Sequence, residues 1–169
     1  MSSAPLSQMA VGVVVERRKA ASPWIDFVWR ATGTLPDAPE MAPWTVLREE
    51  GDAVLFFAGS RTVELYRSET ARYRDNLATG NASLWVVLSP TEGEWPYTLT
   101  AVTADPAEGE AFTEAGANLV EAVAMPDAVR EMVESFVAEH HVEQEFVKRK
   151  RKRADPEALA RRQPEGGHE

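Results

Sequence analysis

A chain of 169 residues, 44% hydrophobic and 27% charged, holds enough for one domain with its own core plus a tail, and too little for two domains of ordinary size. It contains no cysteine, which excludes disulfides, thiolate zinc sites, cysteinyl iron–sulfur clusters and a cysteine nucleophile. The net charge of −9 is divided: residues 148–162 carry +6 and 163–169 carry −2, which leaves −13 on residues 1–147.

Such a dipolar chain points to a charged partner rather than to a fold. No run approaches the roughly 18 apolar residues of a membrane span. The N-terminus lacks basic residues ahead of its short apolar run, so no secretory signal is expected and the protein reads as cytoplasmic.

Residues 1–8 are small and polar and are expected to fray. Met9–Arg18, with Val11, Val13, Val14 and Val15, suits a strand buried on at least one face. Trp24–Thr32 alternates in the manner of a half-buried strand and is expected to pair with it as a hairpin. Gly33–Pro43 holds three prolines and reads as a loop. Trp44–Glu49, Ala53–Ala58 and Thr62–Arg67 read as a meander, with reversals at Glu50-Gly51-Asp52 and Gly59-Ser60-Arg61. Ser68 is placed to cap a helix from Glu69 to Leu77, which Gly80 would end.

Leu84–Leu88 and Tyr97–Thr103 are the next expected strands. Asp105-Pro106-Ala107-Glu108 puts an acceptor at the N-cap, proline at the first helical position and an acid at the third, a helix start that Gly116 would close. Asn118–Ala124 reads as the last strand. After Pro126 and Asp127, the residues Val129, Met132, Val133, Phe136, Val137 and His140 form one stripe at helical spacing, opposite Arg130, Glu131, Glu134 and Glu139. The expected fold class is α+β: a mainly antiparallel sheet of about eight strands, sandwich- or barrel-like, covered by one long amphipathic C-terminal helix and one or two short ones. The expected domain spans 9–146, with a basic, largely disordered tail over 147–169.

Few residues nominate themselves for chemistry. Ser68, Glu69, Tyr73, Arg74 and Asn76 cluster at helical spacing and could hold an anionic ligand, although capping accounts for the same residue types. His140 and His141 are weak metal candidates, because a helix C-terminus also favours imidazolium and no third ligand is nominated. Neither G-x-x-x-x-G-K-[ST] nor G-x-G-x-x-G occurs. No catalytic constellation, cofactor or metal is therefore expected. Lys148, Arg149, Lys150, Arg151, Lys152 and Arg153 form an unbroken cationic run, which gains only by meeting a polyanion or an acidic protein surface. Nucleic acid is the common reading of such a run, but its backbone would repel the acidic body. Contact with an acidic partner, or with the chain's own acidic body, is at least as strong a reading.

The segments SETARYRDNL (68–77), TADPAEGEAFTEAGANLVEAVAMP (103–126) and SFVAEHHVEQEFVKRKRKR (135–153), following a Trp-rich sheet, resemble an uncharacterised, mainly proteobacterial family catalogued as a domain of unknown function. Members of that family look like companions of molybdenum-dependent formate dehydrogenase genes and are often labelled molybdopterin-guanine dinucleotide biosynthesis protein A. The resemblance implies a setting in the maturation of a molybdenum enzyme. The guanylyltransferase loop L-x-G-G-x-S-x-R-x-G-x-x-K does not occur here, so no catalytic residue is carried over. The reading that follows is a non-catalytic accessory protein binding a molybdoenzyme subunit or maturation factor. Its alternatives are a GTP-dependent molybdenum cofactor guanylyltransferase and a nucleic-acid-binding module.

Overall fold

The structure is a computed structural model and describes residues 5–141. Seven strands form two antiparallel sheets. The first has the order β2-β1-β4-β3, from β1 (Ser7–Lys19), β2 (Phe27–Pro36), β3 (Thr45–Glu50) and β4 (Ala53–Leu65). The second has the order β6-β5-β7, from β5 (Ser83–Pro90), β6 (Tyr97–Thr103) and β7 (Leu119–Ala124). Between them run a single 3-10 turn, Arg67–Glu69, α1 (Thr70–Ala78) and α2 (Pro106–Glu114).

The expected architecture is corrected in two respects. Among the described residues the strands number seven, not about eight, and they lie in two sheets of four and three. Nor does one long C-terminal helix cover a sheet. Among the described residues the C-terminal helical stretch runs only over 127–141, and α1 and α2 share the cover. The physical reason for the lower strand count lies at Gly59. Gly59-Ser60-Arg61 was expected to reverse the chain, yet β4 runs straight through it for 13 residues. Val13 pairs with Gly59 and Val14 with Phe57, so Ala58 is the extra residue of a bulge, and Gly59 supplies the positive φ of 130°. Glycine here bends a strand and does not end it. Gly51, by contrast, takes φ 57° in the true β3–β4 turn.

Other boundaries shift for local reasons. β2 starts at Phe27, three residues after the expected start, and runs on to Pro36 through the first four residues of the expected loop. Ser68 does not cap α1; its hydroxyl donates to Glu69 at 2.8 Å, and Glu69 is the N-cap, with no side-chain cap bond. Asp105 does cap α2, accepting from the Ala107 amide at 2.9 Å with Pro106 behind it.

One core unites these pieces. Val11, Val13 and Val15 of β1, Phe56, Val63 and Leu65 of β4, and Leu84, Val86 and Leu88 of β5 meet Tyr73 of α1 and Val129, Val133, Phe136 and Val137 of the C-terminal stretch. Each fully buried side chain of this size contributes about 1.5–3 kcal/mol of transfer free energy. At one end of the sheets, Trp29, Trp44, Phe56, Trp95 and Tyr97 form a mutually contacting aromatic cluster, with Trp44 and Trp95 stacked at 5.5 Å. The Arg17 guanidinium lies over the Phe27, Phe56 and Trp29 rings at 4.5, 5.2 and 5.8 Å.

The two sheets approach each other along two seams, β4 beside β6 and β2 beside β7. Neither pair forms a ladder. At the second seam Glu121 of β7 accepts from the Ala31 amide of β2 at 2.5 Å and lies 3.8 Å from Arg30. On the β4 wall of the first, the Arg61 guanidinium donates to the carbonyl of its own neighbour Ser60 at 2.8 Å. An edge left without such a partner would leave backbone groups unsatisfied or open to a foreign strand.

Candidate functional site

The β4–β6 seam opens outward as two adjoining grooves that share Arg61. The larger, about 360 Å³, runs between Arg61, Thr62, Glu64 and Tyr66 on one wall and Thr100–Thr103 on the other, with Glu108 of α2 at one side. The smaller, about 240 Å³, continues past Ser60 and Gly59 and is lined by Met41, Pro43, Trp44, Phe57 and Leu99. Topology explains why they exist. β3 pairs with β4 only as far as Phe57, and β6 is an edge strand, so two unladdered edges face each other beyond that point.

The larger groove is acidic and rich in hydroxyls. Tyr66 donates its phenol to Glu64 at 2.6 Å, and Thr103 donates to Glu108 at 2.6 Å. The Tyr66 phenol is held above its ordinary range, first by that hydrogen bond to Glu64, then by burial, and then by the fields of Glu64 and Glu108. A hydroxyl donor does not cancel a carboxylate charge, so this arrangement suits a cationic or amide-bearing ligand. It offers no activated nucleophile.

The residues singled out from sequence do not share one surface. Tyr73 and Asn76 point inward and are buried. The Tyr73 hydroxyl accepts from the Tyr66 amide at 3.1 Å, and its pKa is pushed up to about 12, chiefly by burial. Asn76 donates to the Ser83 and Ala104 carbonyls at 2.8 and 3.0 Å and accepts from the Ser83 amide at 3.0 Å. It therefore staples α1 to the starts of β5 and α2. Ser68 and Glu69 lie at the surface with Arg72, which bridges Glu69 and Asp105. Arg74 lies on another exposed face, its guanidinium 2.9 Å from the His141 ring. His140 packs on Phe136 with ring centroids 4.5 Å apart, and its other neighbour is Glu139 at 3.8 Å. Among the described residues no group of three or more His, Cys, Asp or Glu is arranged to hold a metal ion. Lys148–Arg153 lie outside the described residues.

Sequence reading missed both the grooves and a second surface. Trp24 is 90% exposed in the β1–β2 connection, and Ile25 and Val28 beside it are about half exposed. Their alternation had suggested a half-buried strand, but the chain is still turning there, with the Trp24 amide donating to the Ser22 hydroxyl at 3.1 Å. The signal that could have found this tip is Ser22-Pro23, a turn signature immediately before the Trp-Ile pair.

Fold and grooves together define a β-rich scaffold with a polar groove between sheet edges and an exposed apolar hairpin tip. The chain belongs to the family described as "Protein of unknown function (DUF3305)", which it matches over residues 10–151. No curated protein and no solved structure matches it. Among the described residues no helix is long and apolar enough to cross a membrane.

Proposed function

We propose that this protein is a non-catalytic accessory factor that binds a subunit of a molybdenum-dependent enzyme of the formate dehydrogenase type, or a factor that matures it. The setting comes from the family resemblance, whose members look like companions of such enzymes. The observation that carries binding as the mode of action is the hairpin tip. A tryptophan 90% exposed, next to isoleucine and valine about half exposed, is an apolar surface that a folded domain gains nothing by presenting to water alone. Tryptophan is also the residue most enriched among interface anchors, where truncation removes 2 kcal/mol or more of binding free energy. The cationic run Lys148–Arg153 supplies a second contact, to an acidic face of the same partner, and speeds the encounter.

The test is co-purification of the tagged full chain from a molybdenum-replete host. Unaltered protein is expected to retain a molybdoenzyme subunit or maturation factor. Trp24→Ser is expected to lose it by at least tenfold, about 1.4 kcal/mol. Equal retention of that subunit by Trp24→Ser would overturn the role of the tip, and failure of unaltered protein to retain any such subunit would overturn the assignment.

A further inference from the structure

We infer that the larger β4–β6 groove is a docking slot for this chain's own cationic run, Lys148–Arg153. This inference does not rest on the functional assignment above, because it concerns the chain alone. Three observations carry it. The slot is lined by Glu64 and Glu108, whose carboxylates accept from the Tyr66 and Thr103 hydroxyls, beside the polar edge of Thr100–Thr103. The run is the one block of like charge in the chain, six consecutive cations against a body of −13.

The third observation is reach. The described chain leaves at His141, whose ring touches Arg74 of α1. α1 is joined to Tyr66 by the 3-10 turn, so Arg74 stands roughly 12–16 Å along the helical path from the groove. Lys148 follows His141 by seven residues, a span of up to about 23 Å when extended. That span exceeds the helical path from Arg74 back to Tyr66, which lines the groove. Arg61, on the same wall, is turned onto the Ser60 carbonyl at the far end of the slot, which leaves the Glu64–Glu108 end to the incoming cations. Docking there holds the run against the body until an acidic partner competes for it.

Zero-length carbodiimide coupling of carboxylates to lysine amines, followed by peptide mapping, tests this in the intact chain. The chain has four lysines, Lys19, Lys148, Lys150 and Lys152, so the products are few and assignable. Intramolecular links from Glu64 or Glu108 to Lys148, Lys150 or Lys152 are expected, with a yield unchanged on dilution. The yield is expected to fall at least about fivefold when salt is raised from about 0.1 M to about 1 M, where the screening length drops from about 10 Å to about 3 Å. Glu64→Gln with Glu108→Gln removes the acceptors. Should that variant not fold, Arg149→Gln, Arg151→Gln and Arg153→Gln keeps all four lysines but halves the charge of the run, and the same links are expected to weaken. Links from these lysines to carboxylates elsewhere on the body, links found only between chains, or no links at all would each overturn the inference.

Discussion

Asn76 shows how much one short amide decides. Three hydrogen bonds, one buried and two half-buried, two to carbonyls and one from an amide, fix where α1 ends relative to β5 and α2. Asn76→Ala would leave those backbone groups without these partners, at about 1–3 kcal/mol for each that water does not rescue. The expected loss is about 2–4 kcal/mol, read as a shift in the urea midpoint at unchanged slope. Tyr73, one turn earlier, faces the same interior. Its phenol is pushed up to about 12, chiefly by burial and against the lowering effect of the Tyr66 amide. A raised phenol pKa means the unfolded chain ionises first. Stability is therefore complete below pH of about 10 and falls as pH climbs from there to about 12. Tyr73→Phe is expected to flatten that alkaline limb, measured as melting temperature against pH. The sequence signalled helical spacing for both residues but not which side faced inward, since a helix of nine residues with such polar composition carries no clear apolar stripe.

At the level of elements, α2 lies so close on β5 that only glycine fits between them. A Cβ at Gly109 would sit 2.6 Å from the Trp85 ring. Gly109→Ala is therefore expected to destabilise by about 1–3 kcal/mol despite improving helix propensity, while Gly33→Ala, with nothing within 4 Å, should be nearly neutral. Thermal melts of the two variants side by side check this. Elements with strong local signals were legible in the sequence: the valines of β1, the buried run of β5 and the Asp105-Pro106 helix start all form where their residues predict. The misreading at Gly59 has the opposite origin. A glycine between two apolar runs looks the same whether it reverses the chain or bulges a strand, and only the partner strand β1, paired on both sides of it, decides. The grooves were illegible for the same reason, because they are made by edges that lie next to each other only once two sheets have formed. Trp24 was misplaced because alternation of residue types continues through a turn whose side chains no longer alternate in space.

Considered whole, the molecule joins an acidic body to a basic end and presents two kinds of surface. At the β2–β7 seam Glu121 takes a backbone amide of β2 in place of strand pairing, which blunts that edge toward foreign strands. The hairpin tip is left apolar, and the slot is left acidic. The most direct measurement is a calorimetric titration of the purified full chain with a purified apo-subunit of the molybdenum-dependent formate dehydrogenase, alongside a thermal-shift titration with GTP and Mg²⁺. The account predicts a saturable protein complex that Trp24→Ser weakens at least tenfold, about 1.4 kcal/mol, and no saturable GTP shift. Saturable stabilisation by GTP in the micromolar range, with no protein complex, would contradict it.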